Sequence, residues 1–267
     1  MDKQIIYCKC KGKLSEEYPL GAIEQHLYEN NLSFYRVEDL CGIVANQKKE
    51  LQAMITPEKE TVVIACNPRT LNLLLTYAGV DIESHTIHFV NHRKEELSSI
   101  KSKINTHAQG VNKDHGLKEI KSDETWSSWY PLVDYERCTD CGQCADFCLF
   151  GVYEKDENGK VEVVNPHGCK DLCPACARIC PATALVFPKF PEGGAISGED
   201  NIDEGMEKKR LEEDLQKITG DDIYKTLENR KRKRQSIIKK QAMDKAQAEK
   251  DEALKQEPGK RKRFTGT

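Results

Sequence analysis

The sequence predicts an α/β N-terminal domain on a small parallel sheet, then a compact α+β domain built around cysteines, then a charged tail. Three observations carry this prediction. The first hundred residues alternate short β-rich runs with runs of helical period. Eight of the twelve cysteines crowd between Cys138 and Cys180. From Asp203 onward, charged residues displace apolar ones. The implied organisation is an α/β domain over 1–96, a linker over 97–134, the cysteine-rich domain over 135–192 and a helical or disordered tail over 193–267.

Ile5-Ile6-Tyr7 reads as the first strand. Leu20, Ile23 and Leu27 then recur at helical spacing, with Pro19 near the helix start. Phe34-Tyr35-Arg36-Val37 reads as a second strand, and Leu51, Met54 and Ile55 mark a second helix. Thr61-Val62-Val63-Ile64-Ala65 is an apolar, β-branched run suited to a buried parallel strand. Leu71, Leu74 and Leu75 follow on a third helix that Gly79 can close. Thr86-Ile87-His88-Phe89-Val90 supplies a fourth strand. The order β-α-β-α-β-α-β implies a parallel sheet with right-handed crossovers.

Residues 97–134 are polar and carry little periodicity, apart from Trp126 and Trp129, which suit packing against the next domain. The whole chain is 38% hydrophobic and 32% charged, too polar for one core spanning all 267 residues. No apolar run approaches the roughly 18 residues of a membrane span. The N-terminus has no long apolar stretch of a secretory leader. Twelve cysteines without an export signal point to metal ligation or redox chemistry in a reducing compartment, hence the cytoplasm.

Cys138, Cys141, Cys144 and Cys148 stand in a C-x2-C-x2-C-x3-C run, by which a short loop wraps thiolates around one face of an iron–sulfur cubane. Gly142 suits a backbone passing close to inorganic sulfide. The second set, Cys169, Cys173, Cys176 and Cys180 followed by Pro181, has a first gap one residue longer, with Pro174 where the first set has glycine. Between the sets, Val152-Tyr153-Glu154 and Val161-Glu162-Val163-Val164 flank Asn158-Gly159, a hairpin signal. Ala184-Leu185-Val186-Phe187 reads as a further strand. Two zinc sites are the alternative, but structural zinc favours paired C-x2-C knuckles. Over roughly 135–190 the chain resembles a bacterial two-cluster ferredoxin. In that family the fourth cysteine of each run ligates the other cluster. The resemblance implies one [4Fe–4S] cluster on Cys138, Cys141, Cys144 and Cys180, and a second on Cys148, Cys169, Cys173 and Cys176.

The other cysteines, Cys8, Cys10, Cys41 and Cys66, all follow predicted strands. In an open parallel sheet those strand ends line one edge, where ligands bind. Four thiols converging there suit a metal or cluster; inert buried thiols, a zinc site or a redox-active Cys8–Cys10 pair are the alternatives. Cys8-x-Cys10, Leu40-Cys41, Ala65-Cys66-Asn67-Pro68-Arg69 and Phe89-Val90-Asn91-x-Arg93 together resemble the N-terminal domain of the heterodisulfide reductase A subunit, over roughly residues 1–95. That resemblance implies a third [4Fe–4S] cluster on Cys8, Cys10, Cys41 and Cys66. One departure matters: the family's flavin site needs a Gly-rich dinucleotide motif, and this sequence contains no G-x-G and no P-loop. Flavin chemistry is therefore not assigned to this chain. Arg69 and Arg93 are candidates to offset the charge of the N-terminal site, with surface arginines as the plain alternative. His88 and His92 flank the same edge, but four thiolates already complete a cubane.

Residues 201–267 hold 19 Lys+Arg against 14 Asp+Glu, whereas residues 1–200 hold 22 against 30. Leu211, Leu215 and Ile218 give the tail one narrow apolar stripe, followed by the basic runs 230–234 and 261–263. Without interleaved aromatics or a groove-reading fold, nucleic acid is not the expected partner. A solvated tail or an arm docking on an acidic partner fits better. The leading functional expectation is an electron carrier that relays single electrons among [4Fe–4S] clusters. Its partners would be redox proteins, such as a flavin-containing or heterodisulfide-reductase-like oxidoreductase. The alternatives are a disulfide or thiol reductase component using the N-terminal cluster, and a scaffold with structural clusters. No catalytic residue is assigned.

Overall fold

Strand β1 (Asp2–Cys8) shows why the sheet is covered on both sides. Ile5 and Tyr7 pack with Leu20, Ile23 and Leu27, while Ile6 and Cys8 join a separate core with Leu51, Leu71 and Leu74. Successive strand residues face opposite sides, so an unbroken apolar run demands a layer on each face. Strand β3 (Lys59–Ala65) repeats the pattern, with Val62 and Ile64 on one side and Val63 and Ala65 on the other.

The structure is a computed structural model that describes residues 2–11, 18–111, 116–122 and 125–219. The chain divides into Met1–Ile218 and Thr219–Thr267, and the architecture below is that of the first. With β2 (Phe34–Val37), β4 (Ile87–Asn91) and β5 (Leu117–Ile120), the sheet has five parallel strands in the order β4-β3-β1-β2-β5. Helices α1 (Leu20–Glu29) and α5 (Leu97–His107) cover one face through Ile23, Leu27, Ile100 and Ile104. Helices α2 (Leu40–Asn46), α3 (Lys48–Met54) and α4 (Pro68–Tyr77) cover the other. Each buried leucine there contributes about 1.5–3 kcal/mol. Pro68 starts α4, and Gly79 at φ +83° ends it, with the Gly79 and Val80 amides donating back to Thr76 and Leu75.

Two sequence expectations change here. The predicted second helix is preceded by another, α2, whose short Leu-Cys-Gly-Ile-Val run carries no full helical period. Residues 97–134, expected as a linker, instead supply α5, the fifth strand and β6 (Leu132–Val133). The apolar positions of α5, Ile100 and Ile104, are too sparse among lysines and serines to mark it from sequence.

The cysteine-rich segment has little regular structure. β6 pairs antiparallel with β9 (Leu185–Val186), and β7 (Tyr153–Lys155) pairs with β8 (Val161–Val163) across the Asn158-Gly159 turn. Two short helices, α6 (Gln143–Phe147) and α7 (Ala175–Arg178), follow the cysteine loops. The core of this segment gathers Trp129, Val152, Phe187 and Ile196, while Tyr130, Leu132 and Val186 belong to the core under α4. Arg69 fastens the two layers. Its guanidinium donates to Asp134 at 2.8 Å, to Ala195 O at 3.1 Å and to Thr183 O at 3.2 Å. The tail begins as helix α8 (Glu204–Thr219), where buried Asp214 accepts from Arg178 on α7 at 3.1 Å and from Arg210 at 3.0 Å. The basic runs 230–234 and 261–263 lie outside the described residues.

Candidate metal centres

The chain reverses its direction of winding between β1 and β3, which makes their carboxyl ends the switch point of the sheet. Cys8 ends β1, Cys10 follows it, Cys66 follows β3, and Cys41 sits in the first turn of α2. All four are buried, at 5–7% exposure, and share one core cluster. Cys10 adopts a left-handed φ of +53°, and its amide donates to Cys8 Sγ at 3.4 Å. The Leu40 amide reaches the same sulfur at 3.4 Å, and Arg93 Nη2 reaches Cys10 Sγ at 3.4 Å.

Burial dominates the chemistry of these thiols. It raises the pKa of Cys8, with Cys10 and Asp39 adding to it, and that of Cys41, with Asp39 adding. Burial also pushes Cys66 up to about 11 against the pull of Arg93. A nucleophilic thiol needs the reverse, a depressed pKa and an open face, so a redox-active Cys8–Cys10 pair gains nothing from this geometry. A closed set of thiol donors, with peptide N–H groups and one guanidinium turned to sulfur, suits a cluster that takes thiolate ligands and needs its charge offset.

Of the two arginines expected here, only Arg93 touches a thiol; Arg69 instead ties α4 to the cysteine-rich segment. The second cation is one the sequence did not mark. Lys189, following Phe187-Pro188, places Nζ 2.8 Å from Asp39 Oδ2, 2.9 Å from Ser127 O and 2.6 Å from Ser128 Oγ. Asp39 is 1% exposed and also accepts from the Ser128 hydroxyl. Pro188 O accepts from Arg93 Nη1 at 2.6 Å, so residues beyond the second cysteine set close over the N-terminal one. His88 pairs with Glu60 at 3.1 Å and stacks on His107. His92 is buried at 1% exposure, and neither ring nitrogen has a hydrogen-bond partner among the described residues.

The eight-cysteine segment brings its thiols into two groups. Cys138, Cys141, Cys144 and Cys180 line one small cavity together with Gly142 and Pro181. Burial pushes Cys144 up to about 12, with Cys180, Cys141 and Cys138 adding to the rise. Cys169, Cys173, Cys148 and Cys176 form the second group: Cys169 is pushed up to about 12 by burial, then by Cys173 and Cys148. Cys176, also raised by burial, faces Cys169, Cys144 and Cys148, so the groups adjoin at Cys176 and Cys144. The Ala184 amide donates to Cys180 Sγ at 3.4 Å, and the Tyr153 hydroxyl to Cys176 Sγ at 3.0 Å.

The longer gap of the second set is absorbed before its second cysteine. Asp140 before Cys141 and Leu172 before Cys173 both take left-handed φ, +51° and +58°, so each loop turns at the same place. Gly142, at φ +71°, caps α6, and a Cβ there would strike the Lys155 ammonium. Its glycine is thus required by backbone conformation, whereas Pro174 at φ −97° opens α7 without that turn. No helix among the described residues is long and apolar enough to cross a membrane.

Residues 130–181 match the family described as the 4Fe-4S dicluster domain. An uncharacterised ferredoxin of Methanocaldococcus jannaschii is 48% identical over 62 residues, covering 23% of this chain and 42% of its own length. Another uncharacterised ferredoxin of that organism is 40% identical over 63 residues, covering 22% of this chain and 82% of its own. The PorD subunit of its pyruvate synthase is 36% identical over 52 residues, 20% of this chain and 55% of that subunit. The chain thus spans less than half the length of the first of these relatives, and each match involves about a fifth of this chain. The fold carries an iron–sulfur domain of the type that holds [4Fe–4S] clusters, typically two, and with most of a 40%-identical relative covered, the chain belongs to the ferredoxins.

Proposed function

We propose that this protein is a three-centre electron carrier that relays single electrons to or from a larger oxidoreductase. Cys138, Cys141, Cys144 and Cys180 would hold one [4Fe–4S] cluster and Cys148, Cys169, Cys173 and Cys176 the second. Cys8, Cys10, Cys41 and Cys66 would hold a third. Such clusters supply one-electron redox chemistry, and the protein sets their potentials through burial, hydrogen bonds to sulfur and nearby charge. The observation that carries the third centre is the convergence of four buried thiols from three strand ends, with Arg93 donating to one of the sulfurs. The resemblance of residues 1–95 to the heterodisulfide reductase A subunit supports the same ligand set. Similarity to a pyruvate synthase subunit favours an oxidoreductase partner. The burial of all four N-terminal thiols favours electron transfer over direct attack on a disulfide substrate.

Iron and acid-labile sulfide, measured per chain on protein purified without oxygen, test the reading. About twelve of each are expected for three cubanes; about eight would remove the N-terminal centre from the relay.

A further inference from the structure

The N-terminal thiols and the two groups of the cysteine-rich segment are not evenly connected. Trp129 and Tyr130 are adjacent in sequence and reach in opposite directions. Trp129 Nε1 donates to the carbonyl of Cys173 at 3.3 Å, and the Tyr130 hydroxyl donates to the carbonyl of Cys41 at 2.8 Å. One peptide step therefore separates the anchors of the two thiol sets. Trp126 strengthens the same junction, with its ring 5.7 Å from that of Tyr130 and 4.0 Å from that of His167, two residues before Cys169. Ser127 Oγ donates to Asp171 at 3.0 Å. Cys169 itself packs against both cores, the one under α4 and the one inside the cysteine-rich segment. The first group is joined to the N-terminal core through other side chains: Leu132 and Val186 lie in that core while their neighbours Val133 and Leu185 line the first group's cavity, and Arg69 donates to Thr183 O near Cys180. Among the described residues none of its own four cysteines packs against that core, as Cys169 does. Cys180 packs against the second core alone, and Cys141, in the same group, is exposed.

We infer that the N-terminal centre exchanges electrons directly with the cluster on Cys148, Cys169, Cys173 and Cys176, which makes that cluster the middle of the relay. The inference rests on the proposal that Cys8, Cys10, Cys41 and Cys66 hold a cluster. Such a step would move one electron between the two clusters, one being oxidised as the other is reduced, and would form or break no bond to a substrate. The middle cluster would exchange electrons in the same way with the Cys138, Cys141, Cys144 and Cys180 cluster, across Cys176 and Cys144, and the exposed Cys141 edge of that cluster is open to a one-electron partner.

The test is electron paramagnetic resonance of the full-length, iron-loaded chain reduced with dithionite, with iron counted on the same samples. Neighbouring reduced clusters broaden one another's signals. The N-terminal signal should be broadened in the unmutated protein and in Cys141→Ala, and should sharpen in Cys169→Ala/Cys173→Ala, which removes the middle cluster. A signal that sharpens in Cys141→Ala, or stays broad in the double variant with its iron reduced by about four, overturns the inference while leaving three clusters in place. If the double variant holds no iron, Cys141→Ala decides alone: broadening kept supports the order and broadening lost refutes it. An iron count of about eight in the unmutated chain, with no third signal, refutes the underlying proposal instead.

Discussion

Replacing Lys189 by methionine isolates the device that closes the N-terminal site. The side chains of Lys189 and Asp39 are 10% and 2% exposed and lie 2.8 Å apart. Burial alone would lower the lysine pKa, but Asp39, with Cys41 and Cys10 behind it, raises it on balance. Methionine keeps most of the aliphatic volume and removes the charge, leaving Asp39 inside with the Ser128 hydroxyl as partner. Breaking one side of a buried pair costs about 3–5 kcal/mol, because the remaining charge stays desolvated. In a unit of this size, that lowers the midpoint of thermal unfolding by about 6–20 °C. Differential scanning calorimetry of the iron-loaded protein under argon measures it, and Asp39→Asn added to Lys189→Met should restore a large part of the loss. A shift under about 2 °C would refute the reasoning, since it would mean the pair behaves like an exposed one worth less than about 1 kcal/mol.

Arg69→Leu should destabilise the chain by about 3–5 kcal/mol, by stranding Asp134 at the junction of the two layers. Arg69→Lys should recover only part in the same calorimetric assay, because an ammonium cannot span Asp134, Ala195 O and Thr183 O together. Burial, then Arg93, lowers the pKa of His92 to about 3 from an ordinary 6.5. The unfolded chain therefore takes up a proton that the native state refuses between those values. Stability from this group is complete above pH 6.5 and falls by up to about 1.4 kcal/mol per pH unit as pH drops toward 3. In denaturant titrations from pH 8 to 5, His92→Phe should flatten that slope and cost little at pH 8, since the imidazole forfeits no hydrogen bond. Tyr153→Phe removes the hydroxyl donor to Cys176 Sγ and should lower the potential of the second cluster, leaving the other signals in place in a spectroscopic redox titration.

The elements legible in the sequence are those whose side-chain pattern is dictated by burial. The apolar run around Val63 announced a buried parallel strand, Ile5-Ile6-Tyr7 announced β1, and Leu71, Leu74 and Leu75 announced α4. The convergence of Cys8, Cys10, Cys41 and Cys66 followed from strand ends alone, because a parallel sheet gathers its carboxyl ends on one edge. What was not legible depends on long-range partners. Strand β5, Leu-Lys-Glu-Ile, sits at the edge of the sheet and exposes both charged side chains, so it carries no strand signal strong enough to separate it from a loop. Lys189 lies in a Phe-Pro-Lys-Phe-Pro run, where nothing local distinguishes a buried ammonium from a solvated one. Its meaning depends on Asp39, 150 residues earlier.

The closure of the N-terminal site by Pro188 and Lys189 sets an order of events during synthesis. Cys66, the last of the four thiols, is made well before Lys189, and at roughly 5–20 residues per second the intervening chain takes on the order of 6–25 s to emerge. Throughout that interval Arg93 lacks the Pro188 carbonyl, Asp39 lacks its ammonium, and the Tyr130 hydroxyl that holds the Cys41 loop arrives only midway. The four thiols thus lack these closing contacts until most of the chain has been made. A metal centre there would be built most readily before Pro188 and Lys189 close over the opening.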